Sequence, residues 1–235
     1  MAFAAVRAIC FDLDNTLWEV EPVLLRAERI LADWLRHRYP RIPERFPTGE
    51  MLALRASLAL EEPHQAHDFT YLRRTSLARA AQAVGYDVAT AGEIAHAAFE
   101  AWHAARNEVM PYAETVPALD RLRRRFRLAT LSNGNADLVR IGLAHHFEIS
   151  LCAGTLGCAK PDPRAYVALA DALTLTPGEI LFVGDDPSAD VIGPREAGMK
   201  TVWVNRAGVA WPAGLPAADA IVAHLGEIPP LLGEA

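Results

Sequence analysis

From residue 116 onward the chain alternates between short apolar runs and longer stretches with helical periodicity, and this alternation restricts the fold most. Strands that alternate with helices are typical of a parallel sheet joined by right-handed crossovers. We therefore predict an α/β fold with a doubly wound parallel sheet. The predicted strands are residues 6–11, 127–131, 148–152, 180–183, 201–204 and, at the edge, 220–222. The predicted helices between them are residues 116–125, 136–145, 164–173 and 189–197.

A block without strand-like runs separates the first predicted strand from the second. Pro40, Pro43 and Pro47 interrupt the chain after its first helix, and Gly85 ends the third as a C-terminal glycine would. We predict a helical domain, residues 19–109, inserted into a core formed by residues 1–18 and 110–235. Apolar residues recur at helical spacing over residues 21–38, 48–60, 70–84 and 91–107.

Composition excludes several classes of function. The net charge of −6 leaves no basic excess to neutralise phosphates, which argues against nucleic-acid binding. The first apolar run is too short for a signal peptide, and no run is long enough to span a bilayer, so we expect no membrane partner. Cys10, Cys152 and Cys158 are an odd number without the spacing of a zinc site. We predict a cytoplasmic protein with free cysteines.

Polar residues follow several of the predicted strands. Asp12 and Asp14 come directly after the first strand. Because the carboxyl ends of parallel strands meet at one edge of a sheet, we expect these groups to form one site. Two neighbouring carboxylates repel each other unless a cation neutralises them, and Mg²⁺ prefers oxygen ligands. The other polar segments are Ser132-Asn133-Gly134-Asn135, Lys160, and Gly184-Asp185-Asp186 with Asp190.

Each segment also has a purely structural interpretation. An Asp-x-Asp pair caps many helices, residues 132–135 form a typical turn, and Lys160 alone would be a surface lysine. The acids from Asp185 onward would form a solvated loop, with Asp190 in the first turn of a helix. Their succession at the strand ends of one sheet favours a common site over independent turns.

The order of these segments resembles the haloacid dehalogenase superfamily, whose phosphatases carry a DxDxT motif, a Ser or Thr, a Lys and an acidic GD(D/S)xxxD motif. The resemblance covers the whole chain and implies a Rossmann-like core with a mobile cap of the first type, formed by the helical domain. Within the superfamily the chain is most similar to the YigB-type phosphatases of flavin metabolism. That similarity is carried by Glu21-Pro22-Val23, residues 132–136 and residues 183–186.

The resemblance implies an aspartyl-phosphate mechanism. Asp12 would be the nucleophile that receives the phosphoryl group, and Asp14 would protonate the leaving alcohol and then activate water. Mg²⁺ would be the cofactor, held by the Asp12 side chain, the Asp14 backbone carbonyl and Asp185.

The resemblance assigns further roles around the phosphoryl group. Ser132 and the backbone N–H of Asn133 would bind phosphoryl oxygens, and Lys160 would neutralise the negative charge. Asp190 would position Lys160, and Asp186 would bind a water that ligates the metal.

The substrate implied is a small phosphate ester, with flavin mononucleotide and ribitylamino-pyrimidine phosphate of riboflavin synthesis as candidates. Arg73, Arg106 and Asn107 of the helical domain are the residues predicted to select it. We expect a monomer or a homodimer.

Three other functions are compatible with this superfamily. A 2-haloacid dehalogenase also uses an aspartate nucleophile but needs neither a second aspartate nor a metal, so Asp14, Thr16 and the Asp185/Asp186 pair argue against it. A non-catalytic binding protein with the same fold would have no need of the intact motifs. A phosphomutase would need a second phosphate site, of which the helical domain gives no clear sign.

Overall fold

The structure is a computed structural model that describes residues 3–233, and it divides the chain into two compact units. The first unit contains the chain up to Glu19 and again from Met110, and the second unit is Val20–Val109. The predicted boundary lies one residue earlier, between residues 18 and 19. Residues 1, 2, 234 and 235 of the predicted core lie outside the described residues.

The first unit is built on a six-stranded sheet in which all neighbouring strands are parallel. The strands are β1 (Ala8–Phe11), β2 (Arg127–Ser132), β3 (Ile149–Cys152), β4 (Ile180–Gly184), β5 (Lys200–Val204) and β6 (Ala220–Val222). Their order is β3-β2-β1-β4-β5-β6, which confirms the predicted doubly wound parallel sheet. The winding reverses between β1 and β4, and ligands of such sheets bind at the carboxyl ends of the strands there.

The two central strands are buried throughout. Every residue of β1 and β4 is buried, as expected for strands that helices cover on both faces. The register pairs Phe11 with Val183, and Asp12 N–H donates to the Val183 carbonyl at 2.9 Å. The polar residues that follow these strands therefore emerge side by side.

The second unit is helical. Its helices are α1 (Glu21–Arg38), α2 (Arg41–Arg45), α3 (Thr48–Glu61), α4 (Phe69–Ala83) and α5 (Val88–Arg106). Asp68 and Asp87 start α4 and α5 by accepting hydrogen bonds from backbone N–H groups of the first turn. The sequence does not predict α2, because prolines indicate a break there. Pro43 lies in its first turn, where a missing N–H leaves no intrahelical bond unmade.

The helices of the first unit are α6 (Thr115–Leu122), α7 (Leu138–Ile141), α8 (Ala153–Leu156), α9 (Pro163–Leu173), α10 (Gly193–Glu196) and α11 (Ile228–Leu231). The predicted helix at residues 136–145 is wrong in its extent, since only α7 and a 3₁₀ turn at Ala144–His146 form. Gly142, with a left-handed φ of 86°, ends α7. The sequence does not predict α8 and α11, because one-turn helices show no periodicity.

The predicted helix at residues 189–197 is also different. It is a π-helical turn, Pro187–Ile192, followed by α10. Pro194 lacks the N–H that a regular α-helix would bond to the carbonyl four residues earlier. Such turns widen a helix locally and occur frequently at functional sites.

The π-helical turn packs closely against α9. The Tyr166 hydroxyl donates to the Ala189 carbonyl at 2.7 Å, and the Tyr166 ring packs edge-on against Phe182. Gly193 lies so close to this ring that a Cβ atom there would be 2.2 Å from Tyr166 Oη. Close approach, rather than an unusual backbone conformation, therefore requires glycine at residue 193.

No helix among the described residues combines the length and the apolar content that a bilayer span requires. The cysteines are free, as predicted, with Cys10 and Cys158 buried and Cys152 partly exposed. Burial raises the pKa of the Cys10 and Cys158 thiols, which makes them poor nucleophiles.

We predict that Gly193→Ala lowers the free energy of unfolding by about 1–3 kcal/mol, because it overpacks a closed core. The φ of −57° at Gly193 suits alanine, so the obstacle is the collision with fully buried Tyr166. Urea unfolding followed by circular dichroism measures the change. Gly178→Ala is the matched control, since among residues 3–233 no atom outside its own stretch of chain lies within 4 Å of its Cβ position. Equal effects of the two substitutions would contradict the prediction.

Candidate active site

Lys160 is the centre of the candidate site. It lies in the loop between α8 and α9, and its side chain is only 2% exposed. Its Nζ donates hydrogen bonds to Asp12 Oδ1 at 2.7 Å and to Asp190 Oδ1 at 2.6 Å. Three distant parts of the sequence therefore meet at one ammonium group.

Asp12 and Asp185 lie close together because they follow adjacent strands. Asp12 continues β1, and Asp185 comes directly after β4. One carboxylate oxygen from each of Asp12, Asp185 and Asp190 lies within 4.8 Å of the other two. The structure therefore brings these acids together at the carboxyl ends of the strands, where the sequence predicts them to meet.

Asp190 enters from the π-helical turn, and Gly184 leaves room for it. Asp190 Oδ2 accepts a hydrogen bond from Asp186 N at 3.0 Å, and a Cβ atom on Gly184 would lie 2.2 Å from this oxygen. Asp186 Oδ1 accepts from the N–H groups of Ser188 and Ala189 at 2.8 and 2.7 Å. Asp190 therefore points toward Lys160, and Asp186 caps the first turn of the π-helical segment.

The buried charges perturb one another. Burial raises the pKa of Asp12 well above its usual range, with Lys160 opposing the effect. Burial likewise raises the pKa of Asp190. Burial alone would lower the pKa of Lys160, but the carboxylates of Asp12 and Asp190 outweigh it and raise that pKa. Burial, followed by the charge of Asp190, raises the pKa of Asp185 to about 6.

The donor set suits a divalent cation. The three clustered carboxylates include two that share one ammonium group, so negative charge is in excess when all are ionised. Carboxylate oxygens are ligands that Mg²⁺ prefers, and a cation among them would favour their ionised forms. The cluster of Asp12, Asp185 and Asp190 can therefore hold a metal ion.

Asp14 lies in a tight turn after β1, where Asn15 has a left-handed φ of 63°. Asp14 Oδ1 accepts a hydrogen bond from Trp18 Nε1 at 2.8 Å, and Trp18 is completely buried. Thr16 Oγ1 donates to Asp185 Oδ1 at 3.2 Å. The first motif thus fixes Asp14 within its own turn and ties the end of β1 to the residue after β4.

Ser132 and Asn133 lie at the end of β2. Ser132 is buried, and its Oγ accepts a hydrogen bond from Gly134 N at 3.0 Å. Asn133 Nδ2 donates to the Lys160 carbonyl at 2.9 Å, and Lys160 N–H donates to Asn133 Oδ1 at 2.8 Å. The Asn133 side chain therefore holds the Lys160 backbone at two points.

The three residues predicted to select the substrate belong to the helical unit. Arg73 is buried, its Nη2 lies 2.7 Å from Glu28 Oε1, and its guanidinium is 3.6 Å from the centre of the Trp102 ring. Arg106 and Asn107 are buried at the end of α5. A role for these residues in substrate binding stays a prediction.

Sequence reasoning misses three side chains that hold the site. These are Asn133 through its amide group, Trp18, and Trp203, whose Nε1 donates to the Asp185 carbonyl at 2.7 Å. Both tryptophans stand in apolar contexts, where core packing is the ordinary expectation. Only the tertiary contacts show where their N–H groups point.

We predict that Lys160→Met lowers the free energy of unfolding by about 3 kcal/mol or more, because it leaves two buried carboxylates without their cation. Urea unfolding monitored by circular dichroism measures the loss. The only other lysine, Lys200, supplies the control, since its side chain is 39% exposed and its Nζ lies 3.5 Å from Asp219 Oδ1. Lys200→Met should change stability by less than about 1 kcal/mol. A similar loss in both variants would show that Lys160 is not a structural centre.

Comparisons of the sequence with family models and with known proteins agree on one family. A model of the haloacid dehalogenase-like hydrolases matches residues 6–198. The 5-amino-6-(5-phospho-D-ribitylamino)uracil phosphatase YigB of Escherichia coli is 34% identical over 200 residues, 85% of this chain and 84% of that protein. A phosphoserine phosphatase of Thermus thermophilus is 42% identical over 113 residues, 46% of this chain and 45% of that protein.

The fold is shared with solved structures of the same group. A crystal structure of a 2-haloacid dehalogenase from Pseudomonas syringae pv. Tomato matches with a TM-score of 0.93 at 36% identity, covering 97% of this chain and 98% of that one. The family model and the named phosphatases support a phosphatase enzyme, and the predicted superfamily is confirmed. The chain belongs to the haloacid dehalogenase-like hydrolase family.

Proposed function

We propose that the protein hydrolyses the phosphomonoester of a small metabolite through a covalent phosphoryl group on Asp12, with Mg²⁺ as cofactor. The observation that carries the proposal is the Lys160 ammonium bound to Asp12 and Asp190, with the Asp185 carboxylate alongside. A fixed cation beside a cluster of carboxylates provides the charges that phosphoryl transfer requires.

In the first step Asp12 attacks phosphorus. A bond forms between a carboxylate oxygen of Asp12 and phosphorus, and the ester P–O bond breaks. Asp14 donates its proton to the departing alcohol oxygen. Trp18 holds the Asp14 side chain through a 2.8 Å hydrogen bond, which restricts the direction in which that proton is delivered.

In the second step water attacks the same phosphorus. Asp14, now ionised, accepts a proton from the water, the bond between phosphorus and Asp12 breaks, and inorganic phosphate is released. Asp12 returns as a carboxylate and Asp14 as an acid, so the protein is unchanged over the cycle.

Phosphoryl oxygens need donors throughout both steps. Ser132 and the Asn133 backbone N–H are assigned to these oxygens, and Lys160 offsets the charge that accumulates on Asp12 and phosphate. Asp190 positions Lys160, and Asp186 is assigned to a water molecule beside the metal. Preorganised donors of this kind stabilise the transition state without reorganising during the reaction.

The Mg²⁺ ion would be held by the carboxylates of Asp12 and Asp185 and by the backbone carbonyl of Asp14. When bound, it supplies Lewis-acid polarisation of the phosphoryl oxygens. Thr16, bonded to Asp185 Oδ1, restricts the orientation of that ligand.

Dehalogenation is the second candidate function, because the Pseudomonas syringae structure at 36% identity is a 2-haloacid dehalogenase. That reaction uses an aspartate nucleophile but has no leaving alcohol that needs a proton. Asp14, which Trp18 positions, and Asp185, which accepts a hydrogen bond from Thr16, would have no role in dehalogenation. Their presence supports the phosphatase.

The relative from Escherichia coli suggests the substrate class. It is named for a ribitylamino-uracil phosphate. We extend the proposal to ribitylamino-pyrimidine phosphate and flavin mononucleotide as the first substrates to test. Selection among leaving groups is assigned to Arg73, Arg106 and Asn107.

We predict that Asp12→Asn lowers the hydrolysis of an aryl phosphate by about three orders of magnitude or more, because the amide cannot attack phosphorus. Phosphate release measures the rate, and circular dichroism checks the fold. Asp171→Asn, on the exposed side of α9, should keep activity within about twofold.

A chelator and a haloacid substrate together distinguish a phosphatase from a dehalogenase. With the wild type, a chelator should abolish phosphate release, and 2-chloropropionate should yield no chloride. Chloride release that survives the chelator would support the dehalogenase and contradict the phosphatase.

We predict that kcat/KM for ribitylamino-pyrimidine phosphate or flavin mononucleotide exceeds that for generic sugar phosphates by about tenfold or more. A panel of phosphorylated metabolites that includes phosphoserine, measured at saturating Mg²⁺, gives the ranking. If neither flavin-related ester leads, the substrate assignment is wrong while the phosphatase assignment stands.

A further inference from the structure

Trp203 contacts the candidate metal site from a strand that carries none of the family motifs. It lies in β5, where the sheet register pairs it with Gly184 of β4. The side chain is buried, and its Nε1 donates to the Asp185 backbone carbonyl at 2.7 Å. An indole N–H is a donor only, so it fixes the direction of this carbonyl without competing for the site.

The peptide unit between Asp185 and Asp186 is therefore held at both of its polar groups. Its carbonyl accepts from Trp203, and its N–H donates to Asp190 Oδ2 at 3.0 Å. Each bond is made to a side chain from a different element, so the peptide plane cannot rotate without breaking one of them. Because this plane is attached to the Cα of Asp185, its orientation constrains where the Asp185 carboxylate lies.

The same bonds connect Trp203 to the nucleophile. Asp190 Oδ1 accepts from Lys160, which also donates to Asp12. The indole thus stands at one end of a continuous hydrogen-bonded series that runs through the peptide unit, Asp190 and Lys160 to Asp12. Hydrogen bonds in such a series polarise and strengthen one another.

We infer that Trp203 is a positioning residue for the divalent-cation site, acting through the Asp185 carbonyl. The inference rests on the proposed function, because it takes Asp185 to be a ligand of the cation. Outer groups that orient a metal ligand affect metal affinity even though they never touch the metal. Trp203 orients Asp185 through its N–H group, and its ring also contributes packing.

Trp211 is a natural control for this role. Its ring packs against Trp203 at a centroid distance of 4.9 Å with an interplanar angle of 76°. Its own Nε1 donates to the Leu215 carbonyl at 3.1 Å. The pair therefore shares residue type and location, but only Trp203 reaches Asp185.

Calorimetric titration with Mg²⁺ tests the inference on the full chain. We expect Trp203→Phe to weaken Mg²⁺ binding by about threefold to tenfold, the effect of one lost hydrogen bond. Trp211→Phe should stay within about twofold of the wild type. At saturating Mg²⁺ the KM of Trp203→Phe for an aryl phosphate should match the wild type, and kcat should recover. Equal Mg²⁺ affinities of the two variants would overturn the inference.

Two further variants separate the remaining explanations. Benzothienylalanine at residue 203, which keeps the ring shape but has no N–H, should weaken Mg²⁺ binding as Trp203→Phe does. Wild-type affinity with this analogue would assign any effect of phenylalanine to lost packing and overturn the inference. Asp185→Asn should lose Mg²⁺ binding, and if it does not, the proposed metal site itself is wrong.

Discussion

The bonds of the Lys160 ammonium to Asp12 and Asp190 are the interaction on which the site depends. A buried ammonium is tolerated only with acidic partners, and buried acids only with a cation. One acid continues the central strand β1, and the other enters from the π-helical turn after β4. Removing the ammonium would leave two buried carboxylates without a cation, and removing either acid would take away one of the two partners of Lys160, so the three segments stabilise one another. The requirement for glycine at residue 184 follows from the same constraint, because Asp190 occupies the space of a side chain there.

The proposed chemistry depends on the excess of carboxylates over ammonium groups at the site. Asp185 brings a third carboxylate to a pair that Lys160 already neutralises only in part. That excess is compatible with a divalent cation, and a cation with a fixed ammonium can receive a phosphate ester. The family includes dehalogenases with the same framework. In the proposed mechanism, the two chemistries would therefore differ in Asp14 and Asp185 and not in the nucleophile.

Much of the fold and of the carboxylate cluster could be predicted from the sequence, for physical reasons. Strands β1 and β4 are continuous apolar runs, and parallel strands must gather the residues that follow them at one edge. The π-helical turn was not readable, because Pro194 and the packing of Tyr166 override a helical pattern. Nor was the short α7, which Gly142 ends early. The side-chain hydrogen bonds of Asn133, Trp18 and Trp203 could not be predicted, because such bonds leave no periodic trace in the sequence.

The hydrogen-bonding arrangement around Asp185 has a consequence for stability. Thr16 bonds the Asp185 side chain, Trp203 bonds its carbonyl, and Asp190 accepts from the N–H of the next residue. Burial and the charge of Asp190 raise the pKa of the Asp185 carboxyl to about 6. The fold thus holds this group where its ionised form is disfavoured, and the held geometry has a free-energy cost. A cation that binds only the folded chain offsets that cost and stabilises the protein in proportion to the logarithm of its concentration. If the proposed metal site is correct, Mg²⁺ binding would therefore stabilise the folded arrangement around Asp185.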